Sequence, residues 1–295
     1  FPPEGDFRTC TMAQDRIAGP GTADMKGGLI VALYALKALL HIGELDGLPL
    51  TVVCNSDEET GSATSTPLIE GLARGASAGL VFEAGGADNG LVVGRKGRVA
   101  LSLEFRGQSG HAGNAVGPKA SAIEELARSV LSCESWNDPD RRRSVNVGSV
   151  RGGQQANVIA DRAVARAECR FARAADGDEL MTRFEELAAH PRTHGVRTTL
   201  TVDCRRPPME TTPSIRTLFD TARRVAEAGG MPPPTAECRG GVSDANTMAA
   251  AGVPVLDGLG PIGRADHSPQ EFIERPSLTE RTVLAAGLIR ELCKS

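Results

Sequence analysis

The sequence predicts an α/β protein in which one domain is interrupted by a smaller α+β domain. Two observations support this prediction. Over residues 26–83, short apolar runs alternate with helical segments, which is typical of a parallel sheet with helices on its faces. From residue 94, the strand-like segments alternate apolar and polar residues, and this pattern indicates an antiparallel sheet with one solvated face.

The first part of the chain contains helices and two buried-type strands. "MKGGLIVALYALKALLHIG" has its leucines at helical spacing and Gly43 at its end, which are signals of a helix and its termination. The run "PLTVVC" follows, then a short helical segment "TPLIEGLAR" with Pro67 in its first turn, then the run "AGLVFE". We expect both apolar runs, residues 49–54 and 78–83, to be strands buried on both faces.

The middle of the chain has the order of a compact inserted domain. The segment "VALSLEFRG" alternates apolar and polar positions, and after it come helix "KASAIEELARSVLSC", strands "SVNVGSV" and "AVARAECRF", helix "GDELMTRFEELAAH" and strand "VRTTLTVDC". This is a βαββαβ order over about residues 94–204. Buried-type segments then resume, so we expect a first domain part at 1–93, an insertion at 94–204 and a second part at 205–295.

Composition excludes several classes of protein. The 295 residues are 40% hydrophobic and 24% charged, as in soluble globular proteins. The net charge of −4 is dispersed, so no basic surface indicates nucleic acid, and no apolar run reaches the roughly 20 residues of a membrane span. We expect a cytoplasmic protein with reduced cysteines. Because the chain begins at Phe1 rather than Met, a secreted or periplasmic location stays open.

Acidic residues follow the predicted strands and turns at one edge of the sheet. The densest negative charge, "SDEETGS", comes directly after residues 49–54. The carboxyl ends of parallel strands gather ligands, so we expect five side chains to converge there: Asp24, Glu58, Glu59, Glu83 and His267. Taken singly, each is typical of a helix cap or a solvated turn. Together they favour a divalent metal, and a set of oxygen and nitrogen ligands without thiolate suits zinc, with manganese or cobalt as alternatives.

The chain resembles the dinuclear zinc aminoacylase/carboxypeptidase family, which includes acetylornithine deacetylase, succinyl-diaminopimelate desuccinylase and glutamate carboxypeptidase. Nine motifs occur in the order seen in that family, namely "GPGTADMKGG", "SDEETGS", "VFEAG", "GQSGHAG", "GGQQANVI", "RPPME", "GGVSDAN", "LDGLGPIG" and "HSPQEFI". The sixth and eighth are most similar to the glutamate carboxypeptidase branch. The resemblance implies a zinc-peptidase-like catalytic domain with a mixed central sheet, interrupted by an α+β ferredoxin-like dimerisation (lid) domain.

The resemblance also implies roles for the acidic residues and His267. Asp24 would bridge two zinc ions, Glu59 and His267 would complete the ligands of one, and Glu83 would bind the other. Glu58 would be the general base that takes a proton from the attacking water and passes it to the leaving amine. Asp57 is expected to support these residues or to face solvent. The same two possibilities, support of a ligand and a solvent-facing position, stay open for Asp266.

The inserted domain is expected to contribute to substrate binding. His111 in "GQSGHAGNA" would reach the active site of a partner subunit and help to hold the oxyanion, which implies a homodimer formed through residues 94–204. Asn157, Arg170 and Arg206 are implied contacts to a substrate carboxylate, for which the planar guanidinium is suited. Gly241 would let the backbone approach the ligand.

The predicted function is a zinc-dependent hydrolase that cleaves an amide bond of N-acyl amino acids or small peptides. A deacetylase or desuccinylase with the same chemistry is one alternative. The other is a non-catalytic or inactive paralogue that only binds amino-acid-like ligands, because the family's His-x-Asp motif lies upstream of the bridging Asp and "FPPEGDFR" resembles the segment that follows it. We therefore expect an N-terminal truncation, incomplete metal occupancy, little activity and a tendency to aggregate.

Overall fold

The computed structural model describes residues 5–294. Its α-helices are α1 (Gly27–His41), α2 (Thr66–Ala73), α3 (Ala122–Glu134), α4 (Ala174–Ala189), α5 (Pro213–Ala228), α6 (Asp244–Ala250) and α7 (Arg275–Lys294). Its strands are β1 (Thr11–Met12), β2 (Arg16–Ala18), β3 (Gly79–Leu80), β4 (Leu91–Arg95), β5 (Gly97–Arg106), β6 (Gly110–His111), β7 (Ser144–Gly152), β8 (Val158–Ile159), β9 (Arg162–Phe171), β10 (Arg197–Arg206), β11 (Ala236–Arg239), β12 (Val255–Leu256), β13 (Gly263–Arg264) and β14 (Phe272–Glu274).

The described chain divides into two compact units. Among the described residues, the larger unit consists of 5–95, 209–239 and 243–294, and the smaller unit consists of 96–208 and 240–242. None of the described helices is long and apolar enough to cross a membrane.

The smaller unit is a four-stranded antiparallel sheet with the strand order β10-β5-β9-β7. Its long strands and helices follow the predicted βαββαβ order. Every second residue of β5 is buried, and the apolar face so formed packs against residues of α3 and α4, such as Leu126 and Phe184. Trp136 meets the Phe184 ring edge-on at 4.9 Å between ring centroids, an arrangement favoured by the ring quadrupoles.

The larger unit contains parallel strand pairs and a small antiparallel sheet. β3 pairs with β12 and β4 with β11, both in parallel, while β1, β2, β14 and β13 form an antiparallel sheet in that order. α5 and α7 pack on the parallel strands through an apolar core, and α1 packs against α7 through Val31, Ala35 and Leu39. The mixed α/β architecture predicted from the sequence is therefore confirmed.

The prediction of a buried strand over residues 49–54 was wrong. No strand is assigned there, and Val52 and Val53 are 61% and 39% exposed. Valine favours strands only where the backbone groups find partners, and no segment within residues 5–294 pairs with this run. The second apolar run is a strand only at Gly79–Leu80, where β12 lies beside it. Phe1, the basis of the expected truncation, lies outside the described residues.

Candidate metal centre

Three segments far apart in the sequence meet at Asp24, Glu59 and His267. The Nε2 atom of His267 lies 2.9 Å from Oδ2 of Asp24 and 3.6 Å from Oε2 of Glu59. Asp266 joins them, since ligand atoms of Asp24, Asp266 and His267 all lie within 4.8 Å of one another. The larger unit thus brings carboxylates and an imidazole to within the reach of a single metal ion.

The first acid of the triplet stabilises the loop that carries the other two. The Asp57 carboxylate accepts hydrogen bonds from the Thr64 backbone N–H at 2.9 Å and the Thr64 hydroxyl at 2.5 Å, and these bonds lower the pKa of Asp57. Glu58 and Glu59 then fall in one short 3₁₀ turn, Glu58–Thr60. Asp57 therefore supports the loop that carries Glu58 and Glu59.

Close backbone packing places Glu83. A Cβ on Gly28, in the first turn of α1, would lie 1.8 Å from the carbonyl oxygen of Phe82, so only glycine lets this helix approach the segment that carries Glu83. On the other side, the N–H of Gly260 donates to the Glu83 carbonyl at 2.8 Å. The backbone of Glu83 is thereby fixed beside the start of the helix that follows Asp24.

The carboxyl group of Glu83 lies in an excess of negative charge. Burial raises the pKa of Glu83 to about 8, and the carboxylates of Asp257, Asp24 and Glu58 add to the effect. Partial burial and the charge of Asp24 also raise the pKa of Glu59.

A second network, fully buried, lies close enough to act on Glu83. The Arg95 Nε donates to Asp257 at 2.6 Å, and Asp257 also accepts from the Ser243 hydroxyl at 2.8 Å and the Gly258 N–H at 2.5 Å. Both Arg95 and Asp257 contribute to the electrostatic environment of Glu83. Asp257 was not among the predicted site residues, although an acid inside the buried-type run "PVLDGLG" is a signal that could have identified it.

These residues fit a divalent cation. Oxygen donors and one imidazole, with no thiolate among them, form the ligand chemistry of hydrolytic zinc sites. Burial raises the pKa of Glu59 and of Glu83, and neighbouring carboxylates raise it further. A bound cation would favour the ionised form of both groups. The hydrogen bond to Asp24 raises the pKa of His267, so the proton between these two side chains is the one that a metal would displace.

The raised pKa of Glu83 predicts that the stability of the metal-free chain depends on pH. In the folded chain Glu83 keeps its proton up to about pH 8, whereas in the unfolded chain it ionises near its ordinary pKa of 4.5. The folded state therefore binds more protons between these values, and the free energy of unfolding falls as pH rises through the window. Calorimetry in chelator at several pH values should show this fall in Tm.

The variant Glu83→Gln is the control for this prediction, because it cannot ionise. Its Tm should vary less with pH between 5 and 8 than that of the unmodified chain. Equal pH slopes for the two proteins would contradict the raised pKa of Glu83.

The other predicted site residues belong to the smaller unit. His111 is exposed, and its Nδ1 accepts from the Gly113 N–H at 3.1 Å. The carbonyl of Asn157 accepts from the N–H of Ala112, next to His111 in the chain, at 2.9 Å. These contacts join the two loops but leave the catalytic role of His111 and the binding role of Asn157 as predictions.

The two predicted arginines have different surroundings. The Arg170 Nε donates to Glu168 at 2.8 Å, and its Nη1 donates to the Gly240 carbonyl, beside Gly241, at 3.3 Å. Arg206 is 5% exposed. Arg170 therefore lies at the partly exposed end of the sheet, next to the segment 240–242, while Arg206 is buried.

The chain is similar in sequence to members of one peptidase family. The chain matches the sequence profile of "Peptidase family M20/M25/M40" over residues 3–291. Carboxypeptidase G2 of Pseudomonas sp. (strain RS-16) is 32% identical over 280 residues, which are 94% of this chain and 68% of that protein. Succinyl-diaminopimelate desuccinylase of Alkalilimnicola ehrlichii is 28% identical over 95% of this chain and 76% of its own length.

Solved structures show the same fold. The aminopeptidase PepT of Bacillus cereus superposes with a TM-score of 0.77 at 23% identity, covering 96% of this chain and 76% of that one. The family resemblance predicted from the motifs is therefore confirmed. The chain belongs to peptidase family M20/M25/M40 and is a hydrolase of the metallopeptidase class.

Proposed function

We propose that the protein hydrolyses an amide bond of N-acyl amino acids or small peptides at a dinuclear zinc site. The observation that supports this most directly is the meeting of Asp24, Glu59 and His267 within hydrogen-bonding or ion-pairing distance. Asp24 would be shared between the two ions, with Glu59 and His267 on one and Glu83 on the other. Cobalt or manganese would fit the same donors.

Different groups at the site would contribute to different steps of amide hydrolysis. Bound zinc supplies a water nucleophile at neutral pH and stabilises the negative charge that develops on the carbonyl oxygen. Glu58 is the proposed general base, because it lies in the same turn as Glu59 and its charge acts on Glu83. It would accept the proton that water loses as the C–O bond forms, and return it to the amine nitrogen as the C–N bond breaks.

Residues of the smaller unit are proposed to recognise the substrate. Arg170 is the better candidate for a free carboxylate, because its side chain is partly exposed whereas Arg206 is buried. Asn157 and Gly241 are proposed to assist it. His111 is proposed to hold the oxyanion in the active site of a partner subunit, within a homodimer formed through residues 94–204. These roles rest on the resemblance to the family.

A carboxypeptidase-like specificity is favoured over a desuccinylase. The relative named carboxypeptidase G2 is 32% identical to this chain, and the relative named succinyl-diaminopimelate desuccinylase is 28% identical. We therefore infer a substrate that bears a free carboxylate next to the scissile amide, with N-acyl-glutamate as the first compound to test.

The decisive experiment is an assay of amino acid release with and without zinc. The chain is dialysed against a chelator and then incubated with N-acyl-glutamate, N-succinyl-diaminopimelate or a dipeptide. We expect no release before zinc is added, release after it, and the highest kcat/KM with N-acyl-glutamate.

The variant Asp24→Asn is the control for the assay, because it removes charge from the shared ligand. It should bind zinc more weakly and release little product. Zinc binding without turnover of any substrate would favour the non-catalytic alternative, and turnover that persists in chelator would refute the metal site.

A further inference from the structure

Glu271 is a buried carboxylate that binds the turn before α1. Its side chain is fully buried. One oxygen, Oε2, accepts from the Gly21 N–H at 2.7 Å, and the other, Oε1, accepts from the N–H groups of Ala23 at 2.8 Å and Asp24 at 2.9 Å. A single side chain thus satisfies three backbone donors of the turn that carries the proposed shared metal ligand.

The backbone of Glu271 belongs to the segment that carries His267. Its N–H donates to the Ser268 carbonyl at 3.1 Å, and the Ser268 N–H donates in turn to the Ala265 carbonyl at 3.2 Å. The carbonyl of Glu271 accepts from the Gly19 N–H at 3.3 Å. Glu271 therefore joins, through its backbone and its side chain, two segments that are nearly 250 residues apart in the chain.

Only an ionised carboxylate satisfies this arrangement. Three N–H groups converge on two oxygens, and such charge-assisted bonds are stronger than those between neutral groups. A glutamine has one oxygen and one NH₂ group, and the NH₂ group would face at least one backbone N–H, so that a donor meets a donor. The turn would have to shift, and the Asp24 side chain would shift with it.

We propose that Glu271 is a positioning residue for the metal centre. It holds the Asp24 turn at the distance from His267 at which the two side chains meet, 2.9 Å between Oδ2 and Nε2. Its carboxylate contacts backbone N–H groups of the turn and not the metal, so it would act on the metal only through Asp24. This inference rests on the proposed function, because it assumes that Asp24 and His267 are ligands.

The smaller unit contains a matched control. Glu125 is a carboxylate that is 2% exposed and, like Glu271, accepts only backbone N–H groups across a long sequence separation. The Arg192 N–H lies 3.1 Å from Oε1 and 3.0 Å from Oε2 of Glu125, and the Thr193 N–H lies 2.7 Å from Oε2. Glu125→Gln therefore places an NH₂ group against the Arg192 N–H, in a unit that contributes none of the proposed metal ligands.

The experiment compares Glu271→Gln with Glu125→Gln. We expect both variants to lower Tm, and only Glu271→Gln to weaken zinc binding, by about 10–100-fold as for other residues that orient metal ligands. Zinc affinity is measured by calorimetric titration of the metal-free chain. With zinc at saturation, Glu271→Gln should lower kcat with little change in KM, because the substrate contacts are unaltered.

Two results would overturn this inference and leave the proposed function intact. Wild-type zinc affinity in Glu271→Gln would show that the carboxylate does not position Asp24, and an equal loss of affinity in Glu125→Gln would show that the effect is one of general stability. If Glu271→Gln does not fold, Glu271→Asp keeps the charge on a shorter side chain and carries the same expectation. Failure of the unmodified chain to bind zinc would refute the proposed function, and this inference with it.

Discussion

Replacing Glu58 by glutamine is expected to lower kcat by about 10²–10⁴-fold, the range typical of a lost general base. Glutamine has nearly the same shape, but it cannot accept the proton that water gives up. Zinc affinity should stay within a few-fold of the wild-type value, since Glu59, which lies 3.6 Å from His267, is unchanged in this variant. Steady-state kinetics in zinc-saturated buffer and calorimetric titration of the metal-free variant measure the two quantities.

Glu70→Gln is the control for this prediction. It removes a carboxylate from α2 of the same unit, where Glu70 forms an ion pair with Arg74 on the protein surface, so kcat should not change. A Glu58→Gln variant with wild-type kcat would exclude Glu58 as the base. A variant that loses both zinc and activity would show instead that Glu58 is a metal ligand.

Local patterns allowed much of the fold to be predicted from the sequence. In β5 the alternation of apolar and polar residues is also the alternation of burial, because the period of a strand is fixed by its geometry. Asp24, Glu59 and His267 were expected to converge where strands and turns end, and they do approach one another, although the run before Glu59 is not a strand. Both kinds of signal are visible within a short stretch of sequence.

Contacts between distant segments could not be predicted in the same way. Glu271 in "HSPQEFI" has the neighbours of an exposed loop acid, yet it is buried against residues 21–24. Asp57 and Glu59 are two residues apart and chemically alike, but only Asp57 has Thr64 as a hydrogen-bond partner. The valines of residues 49–54 suit a strand, and no described segment pairs with them. In each case the structure of the residue depends on the segment that it contacts or fails to contact. The local sequence does not identify that segment.

Replacing Asp257 by alanine is expected to lower the free energy of unfolding by about 3–5 kcal/mol, as for other buried ion pairs that lose one partner. The variant removes the carboxylate that Arg95 binds at 2.6 Å, and also the acceptor of the Ser243 hydroxyl. Urea unfolding followed by circular dichroism measures the loss, and hydrogen exchange at β4 and β12 shows whether it lies in the larger unit. A loss below about 1 kcal/mol would contradict the prediction.

A double variant distinguishes the loss of stability caused by an unpaired buried charge from the loss caused by missing packing contacts. Arg95→Met combined with Asp257→Leu removes both charges and should recover most of the stability, because apolar side chains can replace a buried ion pair at little cost.

The conservative variant Asp257→Asn tests the link to the metal centre. The charge of Asp257 helps to raise the pKa of Glu83, so its removal should lower that pKa and flatten the fall in Tm between pH 5 and 8, even though the variant is less stable. An unchanged pH slope would show that the charge of Asp257 does not contribute to the raised pKa of Glu83.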